Sequence, residues 1–213
     1  MSVTLYRIAG LIAIIVAFFL LQRGIATMIL RFFDKTPAGS LAFYLSWLIL
    51  LLILILVQPQ LDYGLFRWGR WRAEWLAIVI ILLGWLAPNI LPKIFAQAPW
   101  QAPPLNLALF NGVIVAPVIE EILFRGVLQR YLAMLWPTVW LERLPLTAAV
   151  LLSALLFSLW HFPSPWAWAQ SLGSVKPYLH LAGGLSLSIL RERTGSIWPG
   201  VIIHCAGNLS AYF

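Results

Sequence analysis

Seven predominantly apolar runs, at about 6–22, 40–57, 73–91, 105–132, 146–162, 175–190 and 196–212, follow one another with only short linkers between them. A helix needs about 20 such residues to cross the hydrocarbon core of a bilayer, so the pattern commits most of the 213 residues to lipid. With 62% hydrophobic and 10% charged residues, too little polar surface remains for a soluble domain. In lipid every backbone N–H and C=O must be satisfied within the protein, which leaves helices or a closed barrel. Runs this long, without apolar/polar alternation, predict helices. The expected fold is all-α, a polytopic transmembrane helical bundle of about seven helices. No long linker or internal repeat divides the chain, so 1–213 reads as a single integral membrane domain.

Charge refines this topology. The first run is short and bracketed by Arg7 and Arg23, which can snorkel to the two interfaces. Arg23 follows the run directly and no small-x-small cleavage site precedes it, so an anchor is favoured over a signal peptide. The sixth run is the weakest. Its Gly184 and Ser188, like Ala182 and Ser186, have the small-xxx-small spacing that lets helices approach closely, so it is expected inside the bundle. The net charge of +7 is scattered over linkers without a dense basic stripe, which points to the lipid bilayer as partner and not to nucleic acid. If all seven runs cross, one side carries Arg7, Arg67, Arg70, Arg72, Arg130, Arg143, Arg191 and Arg193. The other carries Arg23, Arg31, Lys35, Lys93 and Lys176. The richer side holds the N-terminus, so the reading is a multi-pass protein of the cell membrane with a cytoplasmic N-terminus. Trp68, Trp71, Arg72 and Trp75 read as an interfacial belt. A single cysteine, Cys205, excludes an intrachain disulfide.

Two of the seven acidic residues, Glu120 and Glu121, stand side by side within the fourth run. An ionisable group at membrane depth is costly and reads first as a functional site. Glu121 and Arg125 are spaced i, i+4 with the acid first, the orientation that favours an ion pair on one helix face. Glu120 is rotated about 100° from Glu121 and is left to face a cavity. Phe157 and His161 end the fifth run, one turn apart, with Pro163 and Pro165 breaking the helix just after the histidine. His204 and Asn208 share a face in the seventh. At about 1.5 Å per residue, Glu120 lies roughly 19 Å from the end of its run. His161 lies roughly 21 Å and His204 roughly 12 Å from the same side. The three are therefore expected at overlapping depth, provided that the sixth run crosses.

These residues form three patterns in order: Glu120-Glu121-Ile-Leu-Phe-Arg125, Phe157-Ser-Leu-Trp-His161 and His204-Cys-Ala-Gly-Asn208. The pattern resembles the EExxxR, FxxxH and HxxxN motifs of the CAAX protease and bacteriocin-processing family of intramembrane endopeptidases, which includes CAAX prenyl proteases. The resemblance covers a motif-bearing core at about 105–208, while the first hundred residues add only spans. It implies a helical intramembrane protease in which Glu120 activates water with help from His161, and His204 and Asn208 form an oxyanion hole. Glu121 and Arg125 support the site, and Phe157 walls it. The implied substrate is a membrane-associated peptide or protein segment reaching a cavity in the bilayer.

Other readings stay open at this point. Two histidines and a carboxylate also match a catalytic zinc set, which would make the protein a metalloendopeptidase. Asn208 is a poor zinc ligand and a good oxyanion donor, which favours a site with no cofactor. Cys205 points about 100° away from the His204 face and reads as packing. His180 belongs to no motif. The same polar residues would also suit a non-proteolytic membrane scaffold, a bacteriocin self-immunity protein or a proton or ion path.

Overall fold

The computed structural model describes residues 9, 20–21, 24–29, 36–57, 62–67, 69–97, 99–100, 102–137, 139–141 and 145–213. The anchor expected at about 6–22 lies almost wholly outside them, as do Arg7, Arg23, Arg31, Lys35, Trp68 and Arg143. The architecture is helical: α1 (Pro37–Val57), α2 (Trp75–Phe95), α3 (Leu107–Leu135), α4 (Ala148–Trp160), α5 (Pro165–Gln170), α6 (Lys176–Thr194) and α7 (Trp198–Ser210). Between α3 and α4 the chain makes one short antiparallel pair, β1 (Val139–Leu141) with β2 (Leu146–Thr147), registering Val139 against Thr147.

Local chemistry sets the boundaries. Asn106 opens α3 by accepting from the Leu109 N–H at 2.9 Å, and Thr147 opens α4 by accepting from Val150 at 3.1 Å. The α4 helix stops at Trp160, and the chain turns by 92° into Pro165–Gly173. Ser164 caps that segment, with Pro165 in its first turn. The proline break expected after His161 is thus present. Gly195, at φ 74°, closes α6 in the left-handed conformation that costs other residues most.

The all-α expectation holds, but seven crossing helices are not carried by the described residues. Among the described residues α2 and α3 are long and apolar enough to span by themselves, with a third span if the bent pair Ala148–Trp160 and Pro165–Gly173 counts as one. The seventh run forms a helix of 13 residues, about 20 Å long against a hydrocarbon core of about 30 Å.

The sixth run sits inside, as its small residues require. A Cβ on Gly184 would come within 3.0 Å of the Ala154 backbone and 3.1 Å of Phe157, so glycine is what lets α6 lie against α4. The absence of a side chain also exposes the Gly184 carbonyl, which accepts from Arg125 Nη2 at 3.1 Å. One turn on, Gln129 Nε2 donates to the Ser188 carbonyl at 3.1 Å and to Glu192 at 2.7 Å. Glu121, Arg125 and Gln129 therefore form a polar stripe on α3 that meets Gly184, Ser188 and Glu192 on α6. Ser153 and Ser158 of α4 donate to the carbonyls of Phe124 and Pro177, each at 2.9 Å. Around this polar seam pack Phe124, Leu132, Leu156 and Phe157, with Trp47 and Leu51 arriving from α1.

One end of the bundle gathers the basic linkers. Arg191 donates to the Asp62 carbonyl at 3.0 Å, Arg70 to the Arg193 carbonyl at 3.0 Å, and Trp198 to the Leu65 carbonyl at 2.8 Å. Arg193 pairs with Glu74 at 2.6 Å. The linker before α2 and the turn between α6 and α7 meet at this end, which agrees with the expectation that the linkers after the second and sixth runs share one side.

Candidate active site

Glu120 and Glu121 lie on α3 between two π-helical stretches, Asn111–Val115 and Ile122–Leu128. Such wider turns shift the phase of a helix and recur at functional sites. Here they frame the two acids. Glu121 is fully buried, and its Oε1 accepts from Arg125 Nη1 at 2.9 Å and lies 3.0 Å from His204 Nδ1. The sequence reading paired Glu121 with Arg125 alone; the contact to His204 comes from α7 packing against α3. Gly200 admits it, because a Cβ there would meet Glu121 Oε2 at 2.9 Å. The Arg125 guanidinium also lies over the Phe157 ring, 4.3 Å from its centroid. The buried charge is neutralised on one side and covered by an aromatic face on the other, while Glu121 Oε2 and Arg125 Nε stay buried without a hydrogen-bond partner.

Glu120, 5% exposed, has two unlike oxygens. Oε1 accepts from Trp160 Nε1–H at 3.2 Å. Oε2 lies 3.8 Å from His204 Nε2 and 4.0 Å from His161 Nε2. Three residues from three helices, 84 positions apart in the chain at the extremes, therefore meet around one carboxylate oxygen, as their depth count predicted. His161 Nδ1 lies 2.8 Å from the Phe157 carbonyl, which can only accept, so this nitrogen carries the proton and Nε2 faces Glu120. Phe157 walls the site as expected, with its ring 4.7 Å from His161 and 5.7 Å from His204.

A cavity of about 420 Å³ opens beside the cluster, lined by Phe157, His161, His204 and Asn208 among others. Glu120 was expected to face it and does not line it; the carboxylate stands behind the two imidazoles. Asn208, one turn beyond His204, donates from Nδ2 to the Gly112 carbonyl at 2.8 Å and keeps its second amide hydrogen.

Four participants escaped the sequence reading. His180 stacks on His161 with centroids 4.0 Å apart and planes 16° from parallel. Trp160 holds Glu120. From α2, Trp85 lies 5.0 Å from the His204 ring, and Asn89 donates to Ser210 Oγ at 2.9 Å; both line the cavity. The first hundred residues therefore supply a wall of the site as well as spans. Trp85 fits because Gly207 gives way to it: a Cβ there would stand 2.6 Å from the indole. Cys205 packs against the core, consistent with its reading as packing.

The zinc alternative concerns the same three side chains. Ligands about 2.0 Å from a tetrahedral zinc stand roughly 3.3 Å apart, and the nitrogens of His161 and His204 are both farther than that from Glu120 Oε2. Among the described residues no group of three His, Cys, Asp or Glu side chains is arranged to hold a metal ion.

No curated protein and no solved structure matched the chain. The model of one protein family did, over residues 101–210, a stretch that takes in Glu120, Glu121, Arg125, Phe157, His161, His204 and Asn208. That match covers more than half of the sequence and contains the whole buried cluster, and by it the chain belongs to the Rce1-like family of type II CAAX prenyl endopeptidases.

Proposed function

We propose that this protein is an intramembrane endopeptidase that hydrolyses a peptide bond with a glutamate-activated water and without a metal. The observation that carries the reading is the single Glu120 oxygen facing two imidazole nitrogens at 3.8 and 4.0 Å beside a cavity. These separations exceed direct hydrogen bonds and suit groups that share a bridging water. Glu120 takes the proton of that water as it attacks the scissile carbonyl of a membrane-associated peptide or protein segment, and returns it to the leaving amine nitrogen as the C–N bond breaks. His161, with Nδ1–H committed to the Phe157 carbonyl, offers the Nε2 lone pair to the same proton traffic. The free amide hydrogen of Asn208 receives the developing oxyanion, joined by His204, whose Nδ1–H is held by Glu121, when its Nε2 also carries a proton; donors so placed are worth about 3 to 4 kcal/mol. Glu121, Arg125 and Phe157 hold His204 and the helices in register.

The basic end of the bundle, with Arg67, Arg70, Arg72, Arg130, Arg191 and Arg193, supports a cytoplasmic placement of that face in the cell membrane. In this reading the N-terminus lies on the same side, the seven apolar runs all reside in the bilayer, and nucleic acid is not a partner. Labelling of single cysteines at positions 67 and 93 from the two sides of sealed vesicles tests the orientation.

The activity test is purified protein and Glu120→Ala in detergent, assayed on quenched prenylated and unprenylated peptides with and without a strong chelator. Cleavage by the wild type that the variant loses and the chelator spares is the expected outcome. Loss to the chelator restored by zinc moves the mechanism to a metal. A folded wild type that cleaves none of the peptides moves the protein to the scaffold or self-immunity reading.

A further inference from the structure

Trp160 occupies a non-motif position, yet it makes the one direct hydrogen bond to Glu120 found among the described residues. A terminal carboxylate torsion is broad, so without a restraint the carboxylate plane could turn its oxygens away from the imidazoles. The indole N–H removes that freedom. It occupies Oε1 at 3.2 Å and leaves Oε2 toward His161 and His204. Because Trp160 is the last residue of α4 and His161 follows it, one helix end delivers an indole to one oxygen of Glu120 and an imidazole to the other.

The indole is itself held. Its ring packs edge-on to Trp47 at 5.5 Å and to Phe124 at 5.9 Å, and tilted against Phe43 at 6.0 Å. Phe43 and Trp47 belong to α1, outside the stretch that the family match covers. Edge-to-face packing on several sides resists ring rotation, and so keeps the N–H aimed at the carboxylate.

We infer that Trp160 is a positioning residue that orients the Glu120 carboxylate for reaction, and that α1 acts on the site through the aromatic cluster around it. This rests on the role proposed above for Glu120. The Trp160→Phe variant keeps an aromatic ring and deletes the donor; replacing the indole by benzothiophene, through an unnatural amino acid, keeps the ring size as well. Both are expected to lower kcat by about tenfold, the scale of one hydrogen bond to a charged group. In the benzothiophene protein KM and the thermal midpoint should stay at wild-type values, since substrate contacts and ring shape are kept, whereas Trp160→Phe also loses ring volume in the core and its midpoint should fall. Trp47→Ala, which loosens the ring but leaves the donor, should lower kcat by a smaller factor. Full kcat in the benzothiophene protein overturns the inference, and so does a loss of kcat that the benzothiophene protein recovers relative to Trp160→Phe, because shape alone would then be at work. Glu120→Ala, assayed in parallel, separates the two ideas: if it still cleaves, the role of Glu120 has failed whatever Trp160 does.

Discussion

Helices α2 and α3 are both apolar enough to span a membrane, yet the most apolar stretch of α3 is 56% buried and that of α2 is 0%. Apolarity therefore does not say which helix is central. The polar residues do: α3 carries Asn111, Glu120, Glu121, Arg125 and Gln129, all buried, while α2 turns one face, with Trp85 and Asn89, to the cavity and the α6–α7 core and buries no residue fully. Lipid is as apolar as leucine, so nothing but polar pairing and close packing draws a helix inside. The central helix is the one whose polar groups must be matched, and the outer helix is free to serve as a wall.

The sharpest way to break this contrast is Arg125→Ala. It leaves Glu121 and His204 without their cation and is expected to cost about 3 to 5 kcal/mol, read as a large fall in the thermal midpoint in detergent. If Arg125→Ala melts like the wild type, the seam is not what centres α3. Next comes Asn208→Ala, which should lose about 2.7 to 4 kcal/mol of transition-state stabilisation, a drop of 10² to 10³ in kcat, with the midpoint lowered only by the equivalent of about 1 kcal/mol for the lost bond to the Gly112 carbonyl. Gly184→Leu forces side-chain atoms into the α4 backbone and should destabilise by about 1 to 3 kcal/mol in the same assay. On the outer helix, Asn89→Ala removes the bond to Ser210 and should cost only about 1 kcal/mol. Smallest of all, Asp62→Asn breaks the solvent-exposed pair with Arg67, and the midpoint should move by the equivalent of about 0.5 kcal/mol or less.

Much of the site could be read ahead of the structure, for reasons that differ residue by residue. Glu121 with Arg125, and His204 with Asn208, are intrahelical spacings, and helical geometry alone puts them on shared faces. Pro163 and Pro165 marked the break after His161, and the chain turns there by 92°. Gly184 and Ser188 marked a close helix approach and form one. What escaped was every contact between distant helices made by a residue ordinary in its own context. Trp160 is one aromatic among many, His180 is unremarkable until it stacks on His161, and Trp85 lies far from the motifs in sequence. The facing of Glu120 also escaped, because a rotation of about 100° from Glu121 gives a direction but not what stands in it.

The sequence by itself determined that this chain is helical and belongs in lipid, and that two acids, two histidines and an asparagine at membrane depth must find partners. Those conclusions follow from the cost of unsatisfied polar groups in hydrocarbon, which applies to any arrangement of the helices. Only the tertiary structure decided which partners they find: His204 on Glu121, Trp160 on one oxygen of Glu120, and the two imidazoles near the other. It also decided that short α4 and α7 end or start within the bundle and that α2 closes the cavity. The reason is that helix packing is set by shapes meeting across the interface, glycine against indole and carbonyl against guanidinium, and no single helix carries that information.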